Sequence, residues 1–246
     1  MISKNKLKEL AACRQQKRCD EEGVFVVEGP KMAAEASASG FTVRTVCATS
    51  EWLTAHADSM GTAEVHEVSP AELERLSNFK TPNQVWILVE RKTENGDQGA
   101  ENGKLVLALD KIQDPGNMGT IMRTADWFGV RRIVCSSDTV SCFNPKVVQA
   151  SMGAVFRTRV DYVDLPQWLS SCGMPVYGAS LQGRPLGEVP LPESNAVLLI
   201  GNESRGISPE AMTAVTHPIL IPNRGETAES LNASVATGIL LNYFIG

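Results

Sequence analysis

Residues 105–129 read LVLALDKIQDPGNMGTIMRTADWFG. Apolar residues run to Leu109, a turn-forming Asp114-Pro115-Gly116-Asn117 segment follows, and Ile121, Met122, Ala125 and Phe128 then recur at helical spacing. Gly129 supplies a left-handed stop. The stretch is therefore a strand, a turn and a helix, with Arg123 pointing away from the apolar side. A helix that opens just after a Pro-Gly-Asn turn presents backbone amides, a geometry that suits anions. An ordinary βα turn with a surface arginine has the same composition.

The same alternation continues outward on both sides. Downstream, strand-like runs lie at 132–135, 155–163, 176–179, 197–200 and 218–221. Asn144-Pro145 and Ser208-Pro209 each place a capping side chain before a proline at the first helical position. Upstream, runs at 24–27, 43–48, 65–68 and 85–89 alternate with helical patterns at 31–39 and 71–76, the latter opened by Ser69-Pro70. Between the two series, KTENGDQGAENG at 92–103 lacks large apolar residues and cannot offset its ordering entropy by burial. The reading is a smaller α/β domain at 1–92, a linker at 93–103 and a larger domain at 104–246. Strands alternating with helices predict a mainly parallel sheet covered on both faces. Ligands of such sheets sit beyond the carboxyl ends of the strands, so the loops after strands are where chemistry is expected.

Composition narrows the class. Of 246 residues, 43% are apolar and 21% charged, enough for a real core. No apolar run approaches membrane-spanning length, and no apolar segment follows the N-terminal lysines as in a signal peptide. Six cysteines are scattered without a C-x-x-C pair, which predicts reduced thiols, a cytoplasmic location and no metal site. A net charge of −5 counts against nucleic acid, yet the first 18 residues hold Lys4, Lys6, Lys8, Arg14, Lys17 and Arg18 against Glu9 alone. This segment is expected to form a basic surface helix.

Two further strand-end loops carry unusual residues. The first is Gly201-Asn202-Glu203-Ser204-Arg205-Gly206, whose glycines permit close backbone approach. A solvated Glu203–Arg205 ion pair would also explain its charges. The second runs from Pro222 to Ser230, Leu231 and Asn232, where helix capping would account for both polar side chains. Leu231, Val235, Ile239 and Tyr243 have helical spacing and are expected to be buried, in the core or against a partner chain. No G-x-G-x-x-G occurs and no lysine follows Gly206, which removes the support for a dinucleotide or P-loop enzyme.

Asn117 with Arg123, the Gly201-Asn-Glu-x-x-Gly206 block, and Ser230-Leu-Asn232 after Ile221-Pro222 resemble, in order and spacing, the three motifs of the SpoU (TrmH-type) RNA ribose 2′-O-methyltransferases of the SPOUT superfamily. The resemblance covers about 105–244. Residues 1–92 look like the smaller substrate-binding domain of many members. It implies a trefoil-knotted parallel-sheet methyltransferase domain, S-adenosyl-L-methionine as cofactor, RNA as substrate with ribosomal RNA favoured over transfer RNA, and a homodimer. By resemblance, Gly201, Ile221 and Leu231 contact the cofactor. Asn117, Arg123, Glu203, Ser230 and Asn232 are the catalytic positions, with Glu203 expected to orient Arg123. A catalytically inactive RNA-binding protein of the same fold is the alternative. Connection rules alone would have drawn an unknotted sheet.

Overall fold

The computed structural model describes residues 2–56, 61–92, 104–225 and 229–246. The expected linker at 93–103 lies outside them. Contacts divide the chain into two compact units, one comprising Met1–Gly96 with Phe143–Phe156 and the other Asp97–Cys142 with Arg157–Gly246.

The first unit begins with α1 (Lys4–Ala11) and α2 (Gln16–Glu22), separated by a short turn of tighter helix. Leu7, Leu10, Cys13 and Cys19 lie on one side and enter the core with Val24, Val26 and Trp86. The segment is thus two docked helices rather than the single surface helix its charge suggested. Among the described residues two of its six cations form ion pairs, Lys6 with Glu9 and Glu64, and Arg18 with Glu21 and Glu22. The chain continues through β1 (Val24–Glu28), α3 (Pro30–Ala38), β2 (Val43–Ala48), α4 (Ser50–His56), β3 (Glu64–Glu67), α5 (Pro70–Leu76) and β4 (Val85–Glu90). Strand order is β1-β4-β2-β3, with β4 antiparallel to both neighbours and β2 parallel to β3. Ser69 and Glu72 form a reciprocal capping box at α5.

Residues 143–156, which a division at the linker assigns to the second domain, pack in this first unit. Phe143 and Phe156 lie 4.8 and 5.9 Å from Phe25, and Phe41 stands edge-on to Phe156 at 5.4 Å. Such aromatic pairs add roughly 0.5–1.5 kcal/mol each beyond area burial. Sequence order carries no signal for this packing.

The second unit contains β5 (Leu105–Leu109), α6 (Pro115–Trp127) and β6 (Arg132–Ser136); α7 (Pro145–Ser151) belongs to the first. Then come β7 (Arg159–Val163), α8 (Leu165–Ser171), β8 (Val176–Pro185), β9 (Ala196–Ile200), α9 (Pro209–Met212), β10 (His217–Leu220) and α10 (Ala233–Ile245). All six strands are parallel, in the order β10-β8-β9-β5-β6-β7. The central β5 and β9 are buried at every position, as a sheet covered on both faces requires. The expected strand at 155–163 is shorter, because 154–156 form a helical turn. Gly129 adopts φ +74° and stops the chain just after α6.

Candidate active site

The carboxyl ends of β5, β9 and β10 deliver the three expected loops to one edge of the second sheet. Asp114 caps α6 by accepting the Asn117 N–H at 2.8 Å, which fixes Asn117 in the first turn. From there the Asn117 Nδ2 donates to Glu203 Oε1 at 2.5 Å, and its Oδ1 accepts from Asn232 Nδ2 at 2.9 Å. Asn232 also caps α10, accepting the Ser234 and Val235 N–H groups. Capping and bridging are therefore both true of Asn232. Three residues from three loops form one hydrogen-bonded chain.

Beside it lies a cleft of about 490 Å³. Gly201, Ile221, Ser230 and Leu231 line it, as does Glu203. A Cβ on Gly201 would lie 2.2 Å from the Gly206 carbonyl carbon and 2.3 Å from the Ile207 nitrogen. The glycine is needed because its own loop folds back over it, held by paired N–H···O bonds between Asn202 and Gly206. Ser230 is exposed on the rim and is not a helix cap.

Arg123 does not join this group. It is exposed on α6, is absent from the cleft wall, and among the described residues forms no ion pair with Glu203. Helix geometry gives the reason: six residues beyond Asn117 are 600° of rotation and roughly 9 Å of rise, which puts Arg123 on a different face. Within the single chain Glu203 is bound to Asn117, so it does not orient the Arg123 of its own chain. The alternative Glu203–Arg205 ion pair is likewise absent among the described residues.

Two participants escaped the sequence reading. Asn202 donates from Nδ2 to the Lys111 carbonyl at 2.9 Å, while its Oδ1 accepts the Ser204 and Arg205 N–H groups. It ties the β9 loop to the β5 loop. An Asn between Gly and a polar turn does signal such an Asx turn. Lys111 holds φ +58°, clamped by Asn202 at its carbonyl and by Ser136 Oγ at its N–H. No residue type in the sequence announces that conformation. Residues Ala179, Ser180, Leu181 and Gln182 of β8 also line the cleft.

Known proteins resemble this chain over nearly its whole length. Residues 104–242 match the SpoU rRNA Methylase family, and residues 4–86 match the MRM3-like substrate binding domain. The 23S rRNA (guanosine(2553)-2′-O)-methyltransferase RlmP of Bacillus subtilis is 30% identical over 245 residues, covering 98% of this chain and 96% of that protein. The 23S rRNA (guanosine-2′-O-)-methyltransferase RlmB of Coxiella burnetii is 33% identical over 71% of this chain and 73% of its own. Among solved structures, a TrmH-family protein from Porphyromonas gingivalis superposes with a TM-score of 0.88 at 38% identity, covering 99% and 98% of the two chains. The AdoMet-bound rRNA methyltransferase of Sinorhizobium meliloti gives 0.86 at 30% identity, covering 99% and 95%. With more than half its length matched by the family and its three strand-end loops meeting at one cleft, the chain belongs to the SpoU rRNA Methylase family.

Proposed function

We propose that the protein transfers a methyl group from S-adenosyl-L-methionine to a ribose 2′-hydroxyl of ribosomal RNA. The observation that carries this reading is the Glu203–Asn117–Asn232 chain beside a cleft lined by Gly201, Ile221 and Leu231. At about 490 Å³ the cleft lies within the range of small-molecule and cofactor sites, and its glycine and apolar walls suit a ligand gripped through main-chain atoms. When bound, the cofactor supplies an electrophilic methyl on a sulfonium that is already a good leaving group, so no metal is assigned a role. What this chain contributes is alignment of the two reactants.

Asn117, Glu203 and Asn232 fix the loops that face the cleft, and Ser230 on its rim is assigned to the incoming RNA phosphate. A guanidinium stays protonated, so Arg123 is not the base. It binds phosphate and stabilises developing charge on the 2′-oxygen. Its exposed position on α6, outside its own cleft, supports a role at the cleft of a second copy. The exposed Leu231, Val235 and Ile239, at and within a helix that packs on α6, support the homodimer that such a role needs.

The trefoil knot is carried over from the family, and two tight approaches, one within the β9 loop and one between the paired strands β8 and β10, require glycine in this domain. A Cβ on Gly201 would strike Gly206–Ile207, and one on Gly183 would lie 2.5 Å from the Ile219 backbone. The first unit is assigned to RNA capture, on the strength of its match to a substrate binding domain. Six free thiols and a ribosomal substrate fit a cytoplasmic setting. Incubating the chain with labelled S-adenosyl-L-methionine, chelator and total RNA tests the proposal. Label confined to one ribose of ribosomal RNA is expected, whereas label in transfer RNA alone, or none, overturns it.

A further inference from the structure

Among the described residues, the cleft is lined by three charged side chains: Glu203, Arg205 and Glu229. Arg205 stands on the loop after β9 and Glu229 on the chain after β10, and β8 lies between those two strands in the sheet. Glu203 is taken up by Asn117. The other two are exposed, and among the described residues neither side chain has a hydrogen-bond or ion-pair partner. A cation and an anion thus share one cleft without reaching each other.

The root of Arg205 is held in place. Its N–H is bound by Asn202 Oδ1 at 3.2 Å, Gly206 follows at φ +67°, and paired N–H···O bonds between Asn202 and Gly206 close the loop. Fixing the backbone in advance lowers the ordering cost of any contact the guanidinium makes. A solvated charge at the rim would explain either residue singly. It does not explain why one unpaired charge of each sign lines a cleft whose other walls, such as Ile200, Met212, Ile221 and Leu231, are largely apolar. A ligand that fits this arrangement has a flat, weakly polar body and one end that carries both a carboxylate and an ammonium. An α-amino acid bears these two charges side by side, so it bridges a guanidinium and a carboxylate that do not touch.

We propose that Arg205 and Glu229 hold the amino-acid end of S-adenosyl-L-methionine, Arg205 its carboxylate and Glu229 its ammonium. The proposal rests on the cofactor reading above and goes further. It assigns the charged end of the cofactor to side chains and leaves the nucleoside to the main chain around Gly201, Ile221 and Leu231. The β9 loop then has three separate uses: close approach at Gly201, the bond from Glu203 to Asn117, and the guanidinium of Arg205. An RNA phosphate is the other anion available to Arg205. It carries no ammonium, so it leaves Glu229 without a use and is repelled by it.

Calorimetry on the full chain without RNA tests the proposal with three probes. These are S-adenosylhomocysteine, its decarboxylated form, which keeps the ammonium, and methylthioadenosine, which lacks the amino-acid end. The parent is expected to bind S-adenosylhomocysteine about 10- to 150-fold more tightly than the decarboxylated form. Arg205→Gln should erase that gap without weakening methylthioadenosine. Arg205→Lys should restore part of it, because the charge stays and the fork is lost. Glu229→Gln should weaken the decarboxylated form and leave methylthioadenosine unchanged. Parental affinities for all three ligands in both glutamine variants would overturn the assignment. A raised KM for RNA in Arg205→Gln, with those affinities unchanged, would give the arginine to an RNA phosphate instead. Equal loss of all three ligands would trace the effect to a displaced loop and overturn the assignment as well. A parent that binds none of them would defeat the cofactor reading itself, an outcome distinct from every variant result.

Discussion

The side-chain amide of Asn117 is bound to the carboxylate of Glu203 across 86 residues of sequence. Its other end holds Asn232, so one amide spans three loops. Asn117→Ala should slow methyl transfer about 10- to 150-fold, the range for losing a hydrogen bond to a charged group worth ~1.5–3 kcal/mol. Asn117→Asp keeps the shape but sets a second carboxylate against Glu203, and is expected to be slower still. Single-turnover rates with saturating cofactor measure both. An Asp variant faster than the Ala variant would show that Glu203 does not act there as an anion.

Arg123→Ala should lower turnover about 100- to 1,000-fold while leaving S-adenosylhomocysteine affinity intact, because the arginine lies outside its own cleft and its assigned partners are phosphate and the reacting oxygen. Arg123→Lys separates charge from shape. Full rescue by lysine would favour a point charge, and no rescue a forked contact. Near-parental turnover of the alanine variant would refute the assignment.

The strand alternation and the caps at Ser69, Asn144 and Ser208 were legible in the sequence, because each rests on local periodicity or on a turn residue with one conformational use, and the grouping of the three loops followed from their strand-end positions and the family resemblance. What escaped is non-local. Nothing in residues 143–156 says that their phenylalanines pack with Phe25 and Phe41. The rotation that takes Arg123 away from Glu203 follows from helix geometry once the first turn is fixed at Asn117. The choice of Asn117 as the Glu203 partner, however, needs the loops in three dimensions. The basic N-terminus was read from charge alone, so the burial of Leu7 and Leu10 and the neutralisation of Lys6 by Glu64 were missed.

Gly201→Ala should abolish the thermal shift given by S-adenosylhomocysteine. The new methyl would meet Gly206 and Ile207 backbone atoms at 2.2–2.4 Å, and backbone cannot step aside as a flexible side chain would. Overpacking of this kind costs about 1–3 kcal/mol, so the variant should fold with a displaced loop. Gly225→Ala, whose Cβ would sit 3.5 Å from Asn223, serves as the tolerated control. An unchanged thermal shift in Gly201→Ala would remove this loop from the cofactor site.

Burial pushes the carboxyl of Glu28 above the usual glutamate range, and the opposing hydrogen bonds from Asn78 and Ser77 do not cancel it. Between the ordinary and the raised value the folded chain keeps a proton that the unfolded chain releases. Stability therefore falls as pH rises through that window and levels off once both states are charged. Glu28→Gln retains an acceptor for the Asn78 N–H and turns a donor toward Ser77. It should flatten the decline, which urea midpoints between pH 4.5 and 8 would reveal. A parental pH slope in the variant would show that Glu28 is not its source.

The C-terminal helix divides its apolar residues between two uses. Leu240 and Leu241 are fully buried, Tyr243 donates to the Val189 carbonyl at 2.7 Å, and Phe244 packs edge-on against Tyr177 at 5.0 Å. Their place is inside their own chain. Leu231, Val235 and Ile239 are instead 46%, 50% and 39% exposed within the single chain, so the expectation of core burial fails for them. Leu231 precedes the helix, which opens at Ala233, so the helical spacing expected of it fails, while four-residue spacing aligns Val235 and Ile239 along one face, the form a self-complementary two-fold contact takes. Light scattering at low micromolar concentration should give twice the chain mass. Val235→Glu with Ile239→Glu should give one chain mass at unchanged helical content, since both side chains are already in water within the single chain. If Arg123 serves the cleft of the second copy, that monomer should bind S-adenosylhomocysteine and yet transfer no methyl group. A monomeric variant with full turnover would defeat the proposed sharing of the site, and a parent chain that runs as a monomer would defeat the dimer itself.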